Sequence, residues 1–195
     1  MRPAVSLDTE AQCRRRAVAW VVDLTANTPL APQRYERQLL ARYENGELSI
    51  DQVIELLEAS TYQILYRSRA TSSPTEAQLC ELLEQSRRNN AAAGITGLLL
   101  YSDGRYVQVL EGPRDKVRAL YARIQKDPRH SHLVTVCEGP GPTRWFTQWS
   151  MGLGYVAKSA AARALDTMLA QDVDPNTEVD YSLLRALLQA FGVTP

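Results

Sequence analysis

Polar and hydrophobic residues alternate in the middle of the chain, as they do in a β-strand with one buried face. One such stretch is GRYVQVLEG, residues 104–112. It places Tyr106, Gln108 and Leu110 on one side of the strand, while Glu111 falls on the other side. An amide buried without partners costs about 1–3 kcal/mol of folding free energy. The pattern therefore predicts that Gln108 has a polar partner inside the core.

Residues 61–156 mix this strand pattern with two helical patterns. The strand patterns are YQILY, GITGLLLYS, RYVQVLEG, HLVTVCE and WSMGLGYV, and the second and third of these form a hairpin. We expect Ser73 to cap the first helix and the second helix to run from about Pro113 to Asp127. The resulting order, β-α-β-β-α-β-β, predicts an α+β, ferredoxin-like fold with one sheet and two helices on a single face.

Helical patterns flank this region on both sides, in residues 1–60 and 157–195. In the first flank, Ser49 and Gln52 form a capping-box pattern that opens a short amphipathic helix. That helix is acidic, which disfavours contact with phosphate. In the second flank, DYSLLRALLQAF carries a strong apolar stripe. We interpret the first flank as an adaptor or dimerisation extension and the second as a helical cap.

The first flank also resembles, faintly, the small helical antitoxin domains that accompany Fic-type AMP-transferases. The resemblance is carried by ERQLLARYENGELSIDQVI. The inhibitory motif of that family is not found at the corresponding helix, so no inhibitory role is carried over.

Charge and composition narrow the classes of function. The 195 residues include 22 basic and 22 acidic side chains, which disfavours nucleic-acid binding driven by bulk charge. The chain has no apolar run of about 20 residues and no signal-peptide pattern, so we expect a cytoplasmic protein without a membrane-spanning segment. Its three cysteines include no CxxC pair, so we expect reduced thiols and no metal site.

Three polar side chains are predicted to face the layer between the sheet and the helices. Tyr66 ends the first strand, Gln108 lies in the middle of the third, and Asn90 ends the inner stripe of the first helix. Groups of this kind need a polar partner within the layer. A flat heteroaromatic ring with carbonyl and imide edges would satisfy them while stacking on apolar residues.

These residues lie in motifs that resemble the BLUF domain, the blue-light sensor that uses a flavin, usually FAD. The motifs are YRSRA, RRNNAAAGITGLLLYSDGRYVQVLEGP, VRALYARIQKDPRH and FTQWSMG, and they cover residues 61–156. The resemblance implies that the flavin ring lies between the two helices. It implies that Tyr66 is the photochemical electron donor. It also implies that Gln108 lies between that tyrosine and the ring.

The resemblance assigns further positions residue by residue. Those matched to flavin-binding residues of the family are Asn90, Asn89, Ser86, Ile124, Asp127, Arg129 and His130. Trp149 and Met151 match the last strand, whose conformation responds to light, and Trp145 is a second tryptophan close by. The implied mechanism is electron and proton transfer from Tyr66 through Gln108, after which Gln108 settles in a changed orientation or tautomer.

We therefore expect a photoreceptor without a catalytic output domain of its own, since little chain remains for a cyclase or phosphodiesterase. Its signal would alter the association of the helical flanks with an unidentified protein partner or within a homo-oligomer. Two alternatives stay open. One is a flavin-free interaction module in which Tyr66, Gln108 and Asn90 satisfy one another. The other is a small hydrolase on the same scaffold, although no glycine-rich anion-binding loop stands out.

Overall fold

The computed structural model describes residues 7–102, 104–147 and 151–155. These residues form two compact units. The first unit consists of the described residues up to Ser60 together with Gly139–Pro142. The second consists of Thr61–Glu138 together with the described residues from Thr143 onward. The predictions for Trp149 and for the C-terminal cap lie outside the described residues. None of the helices in the described part of the chain is long and apolar enough to cross a bilayer.

The first unit contains three helices, α1 (Leu7–Thr25), α2 (Arg34–Glu44) and α3 (Ile50–Glu58). The predicted capping box opens α3. The Ser49 amide donates to Gln52 Oε1 at 2.8 Å, and the Gln52 amide donates to Ser49 Oγ at 3.2 Å. The unit has a small core of its own, formed by Tyr35, Leu39 and Val53. The division into adaptor, sensor and cap stays a prediction.

The second unit follows the predicted order of strands and helices. Its elements are β1 (Thr61–Ala70), α4 (Glu76–Ala93), β2 (Thr96–Ser102), β3 (Arg105–Gly112), α5 (Arg114–Ile124), β4 (His130–Gly141) and β5 (Gly152–Tyr155). Of β4, the part up to Glu138 belongs to this unit. The strands form one sheet in the order β4-β1-β3-β2-β5. The predicted hairpin of β2 and β3 is confirmed as an antiparallel pair, whereas β5 runs parallel to β2.

The two helices of this unit pack on one face of the sheet, which confirms the predicted layering. We call it the helix face. Its core combines side chains of β1, α4, β3 and α5: Tyr62, Ile64, Tyr66, Leu79, Leu83, Leu110, Val117 and Tyr121. The opposite face, which carries Gln63 and Glu111, is called the far face.

Three local predictions were wrong. Met151, predicted on the last strand, lies immediately before β5, which begins at Gly152. The N-cap of α4 is Thr75 rather than Ser73, because Thr75 and Gln78 form a reciprocal capping box with bonds of 2.8 and 3.3 Å. Tyr66 lies in the middle of β1 rather than at its end. The strand extends to Ala70 because its residues continue to pair with β3 as far as Arg69.

Candidate functional site

The partner of Gln108 is Tyr66. The two residues lie directly opposite each other in the antiparallel pairing of β1 and β3. Successive side chains of a strand point to opposite faces, so this register places both on the helix face. Tyr66 Oη donates a hydrogen bond to Gln108 Oε1. Tyr66 is 0% exposed and Gln108 is 7% exposed, so little water competes for this bond.

The second end of the Gln108 amide reaches the residue before β5. Gln108 Nε2 donates to Met151 Sδ at 3.4 Å. A thioether sulfur is a weak acceptor, so this bond is weaker than the one to Tyr66. Arg87 of α4 holds the same residue through its backbone, because Arg87 Nε donates to the Met151 carbonyl at 3.0 Å. A line of hydrogen bonds therefore runs from Tyr66 through Gln108 to Met151.

A cavity of about 180 Å³ opens beside this line. It is bounded by α4, α5, β2, β3 and the turn before β4. Its lining residues are Leu82, Gln85, Ser86, Asn89, Asn90, Leu99, Gln108, Leu120, Arg123, Ile124, Asp127, Arg129 and His130. The cavity thus combines aliphatic walls with amides near Gln108 and with charged groups at the turn.

The turn before β4 gives the cavity a charged end. Arg129 Nε donates to Asp127 Oδ1 at 2.9 Å, and Arg129 Nη2 donates to Asp127 Oδ2 at 2.5 Å. These bonds lower the pKa of Asp127. Next to them, His130 Nδ1 lies 2.8 Å from the hydroxyl of Ser68, which is buried on β1. Burial lowers the pKa of His130, so its imidazole is held neutral near pH 7.

Tyr66 is a neutral phenol in this setting. Burial raises its pKa, and the nearby Tyr121, Asp127 and Tyr106 raise it further. Tyr121 is an aromatic neighbour of Tyr66, with ring centroids 5.1 Å apart. The Tyr121 hydroxyl points elsewhere, since it lies 2.6 Å from Thr135 Oγ1. Of these two tyrosines, Tyr66 is therefore the one coupled to Gln108.

The structure brings most of the predicted site residues to one place. Those on the cavity wall are Gln108, Asn90, Asn89, Ser86, Ile124, Asp127, Arg129 and His130. Tyr66 and Met151 join through their bonds with Gln108. Trp149 lies outside the described residues. Within the described ranges no cluster of three potential metal ligands is present.

Several wall residues were missed by sequence reasoning: Leu82, Gln85, Leu99, Leu120 and Arg123. A signal for four of them was present. Leu82 and Gln85 lie one helical turn before the predicted Ser86 and Asn89, and Leu120 and Arg123 stand in the same relation to Ile124 and Asp127.

The cavity residues fit a flavin. Aliphatic side chains suit the faces of a flat ring, and the amides of Asn90 and Gln108 suit its polar rim. At the turn, Arg129 provides a cation suited to a phosphate.

Comparisons with known proteins agree with this chemistry. The model of the family described as sensors of blue-light using FAD matches residues 61–152. The photoactivated adenylate cyclase subunit beta of Euglena longa is 39% identical over 89 residues, which are 45% of this chain and 10% of that protein. The antirepressor BluF of Escherichia coli (strain K12), described as blue light- and temperature-regulated, is 31% identical over 90 residues, which are 46% of this chain and 22% of that protein.

Among solved structures, the dark state of the BLUF protein BlrB superposes with a TM-score of 0.55 at 31% identity. The superposition covers 68% of this chain and 98% of that one. Fold and cavity thus define a flavin-based light sensor of the α+β class. The chain belongs to the BLUF family, whose model matches residues 61–152, and its cofactor is FAD. The match spans only 10–22% of the two curated relatives named above.

Proposed function

We propose that this chain converts blue light into a change of protein association, using the hydrogen-bonded line from Tyr66 through Gln108 to Met151. The observation that carries the proposal is the double role of the Gln108 amide. It accepts from a buried phenol at one end and donates to the residue preceding β5 at the other. A change at Gln108 therefore alters both ends of the line together.

The residues of the cavity wall would hold FAD. We assign the ring to the region of Asn90, Asn89, Ser86 and Ile124. Asp127, Arg129 and His130 are assigned to the ribityl and phosphate end, where the cation of Arg129 is positioned by its pairing with Asp127. When bound, FAD absorbs blue light and is a strong oxidant in its excited state.

Tyr66 is the residue that gives up an electron. Loss of an electron makes a phenol strongly acidic, and the Tyr66 proton already lies in a hydrogen bond to Gln108 Oε1. Gln108 therefore takes over the proton at Oε1 and releases one from Nε2, so that its side chain stays neutral. The proton released from Nε2 goes to the bound FAD together with the electron from Tyr66. Burial favours this route, because it keeps Tyr66 from ionising beforehand and keeps water from accepting the proton.

Rotation of the Gln108 amide by half a turn would exchange its oxygen and nitrogen. Nε2 would then donate to Tyr66 Oη, which can accept, so that bond would reverse its direction. Gln108 Oε1 would face Met151 Sδ, and a thioether has no proton to donate. The bond to Met151 is therefore lost, and a two-state element next to β5 is biased by a local change. A change of tautomer that turns the donor at Nε2 into an acceptor has the same consequence at Met151.

The output is assigned to protein contacts rather than to catalysis. The first unit exposes large apolar side chains on and after α1, with Trp20 66%, Leu24 64% and Leu30 78% exposed. Apolar surface of this kind suits an interface. We infer that a second copy of this chain or another protein partner binds there, and that the affinity differs between light and dark.

The photochemical half is tested with the visible spectrum of the FAD-bound protein before and after blue light. We expect a reversible red shift in the wild type. Tyr66→Phe should abolish it, because the phenolic proton is gone. Tyr121→Phe is the matched control: it removes a neighbouring tyrosine hydroxyl but leaves the Tyr66–Gln108 bond, so the shift should persist. A normal shift in Tyr66→Phe, or its loss in Tyr121→Phe, would contradict the assignment.

The output half is tested by light scattering in the dark and during illumination. We expect the molar mass of the wild type, alone or with an added partner, to depend on light. Tyr66→Phe should remain at the dark value under both conditions. A light-dependent mass in Tyr66→Phe would separate association from the photochemistry and contradict the proposed coupling.

A further inference from the structure

The far face of the sheet holds a buried carboxylate that the photochemistry does not use. Glu111 of β3 is 0% exposed. It accepts hydrogen bonds from Gln63 Nε2 at 3.2 Å and from Thr96 Oγ1 at 3.0 Å. It also accepts from the backbone amides of Trp145 at 2.9 Å and Phe146 at 2.6 Å. A buried carboxylate is tolerated when its oxygens are satisfied in this way.

These four donors come from distant parts of the unit. Gln63 and Thr96 are the residues directly opposite Glu111 on β1 and β2, so the three form a row across three strands. Trp145 and Phe146 belong to the connection between β4 and β5. Glu111 therefore ties that connection to the middle of the sheet.

The attachment is reinforced from both sides of the row. Gln63 Nε2 donates to the carbonyl of Thr143 at 3.0 Å as well as to Glu111. Arg144 donates to Thr96 Oγ1 at 3.2 Å and to the carbonyl of Gly94 at 3.0 Å. The beginning of the connection, residues 143–146, is thus held to β1, β2 and β3 by side chains and backbone together.

Glu111 and Gln108 reach the same segment from opposite faces of one strand. Gln108 contacts Met151, immediately before β5, while Glu111 contacts residues 145 and 146, a few positions earlier. If both ends of this segment were free, a lost bond at Met151 would be absorbed by the whole connection. Glu111 fixes the first end at residues 145 and 146, and the bond from Arg87 Nε holds the Met151 carbonyl at the other end. The change at the Met151 side chain is therefore directed toward β5.

We propose that Glu111 is a positioning residue for signal transmission, which anchors the β4–β5 connection so that a change at Met151 displaces β5. This inference rests on the proposed function, since it concerns what happens after Gln108 has changed. It assigns no part in light absorption or proton transfer to Glu111. The red shift and the movement of β5 can therefore be measured separately, and an experiment can show whether a variant has lost one, the other or both.

The test is amide hydrogen exchange of the FAD-bound protein in the dark and in the light, with the visible spectrum recorded on the same samples. In the wild type, light should raise exchange in Gly152–Tyr155 while the amides of Trp145 and Phe146 stay protected. Glu111→Gln replaces one accepting oxygen by an NH₂ group. It should raise exchange of these two amides at least tenfold in the dark and abolish the light-minus-dark difference in β5. The red shift should remain.

Glu138→Gln provides the matched control. Glu138 lies on β4, its side chain is 32% exposed, and its carboxylate pairs with Arg118 of α5 at 3.6 Å rather than with the row around Glu111, so its variant should behave as the wild type. Retention of the β5 difference in Glu111→Gln would overturn the inference. Loss of the red shift in that variant, with FAD bound, would overturn it too, because Glu111 would then act on the photochemistry. Absence of a red shift in the wild type would instead refute the proposed function.

A milder variant covers the case in which Glu111→Gln does not retain FAD. Thr96→Val keeps the shape of the side chain and removes one donor to Glu111 together with one acceptor of Arg144. It leaves the two backbone bonds to Glu111 and the bond from Arg144 to the Gly94 carbonyl. It should raise exchange at Trp145 and Phe146 several-fold and reduce the light response of β5. Wild-type exchange at both places in Thr96→Val would then overturn the inference.

Discussion

Two rows of side chains cross the sheet on opposite faces, and they differ in how firmly their polar centre is held. On the helix face, Gln108 stands between Tyr66 on β1 and Leu99 on β2. On the far face, Glu111 stands between Gln63 and Thr96 on the same two strands. Gln108 thus has a polar neighbour on one side and an aliphatic one on the other, whereas Glu111 has a donor on both.

In the proposed mechanism, this difference separates a group that changes, Gln108, from one that stays in place, Glu111. An amide carries a donor and an acceptor at its two ends, so Gln108 can exchange them within one pocket at a modest cost. A carboxylate only accepts, and each donor aimed at Glu111 would be orphaned by its movement. In this proposal, strand β3 carries a polar residue that switches, Gln108, three positions before one that stays fixed, Glu111.

The largest effect is expected from removal of the switchable group. Gln108→Leu should abolish the light-induced red shift completely, because Leu can neither accept the Tyr66 proton nor donate to Met151. The measurement is the difference spectrum of the FAD-bound variant after blue light. A reversible shift of wild-type size would contradict the role given to Gln108, and would place the photochemical response elsewhere on the cavity wall.

The stability of the two rows should differ by a few kcal/mol. Glu111→Leu orphans two side-chain donors and two backbone amides and should lower the free energy of unfolding by about 3–5 kcal/mol. Gln108→Leu leaves the Tyr66 hydroxyl without its acceptor and should cost only about 1–2 kcal/mol. Urea unfolding followed by the absorbance of bound FAD measures both. Equal losses would remove the distinction between a fixed and a switchable row.

The smallest effect concerns pH at the charged end of the cavity on the helix face. Burial lowers the pKa of His130 below its value of about 6.5 in the unfolded chain. The unfolded state therefore binds this proton first, and stability should fall as the pH drops below about 6.5.

His130→Asn should remove this component of the pH dependence, as measured by unfolding midpoints between about pH 5 and 7.5. The exposed His132 provides the control, and Asn suits its left-handed backbone. His132→Asn should keep the wild-type slope. An unchanged slope in His130→Asn would contradict the assignment.

Much of the fold and of the helix face was predictable, because the decisive patterns are local. The alternation around Gln108, the Ser49 capping box and the order of elements all follow from short stretches. The far-face row was not predictable in the same way. Alternation places Glu111 on that face, but its amide donors come from 34 and 35 positions further along the chain. The N-cap of α4 was missed because Ser73 and Thr75 both suit a cap and each is followed three residues later by a capping-box partner, Glu76 or Gln78. Only the structure shows that the Thr75–Gln78 box forms.

The direct pairing of Tyr66 with Gln108 has a consequence for folding fidelity. A slip of β3 by one residue against β1 would turn its side chains over, sending Gln108 to the far face and Glu111 into the helix layer. Such a molecule would not respond to light and would also be unstable. Photosensitivity is therefore a readout of strand alignment. Among the chains that hold FAD, the fraction that responds to blue light measures how many have folded in register.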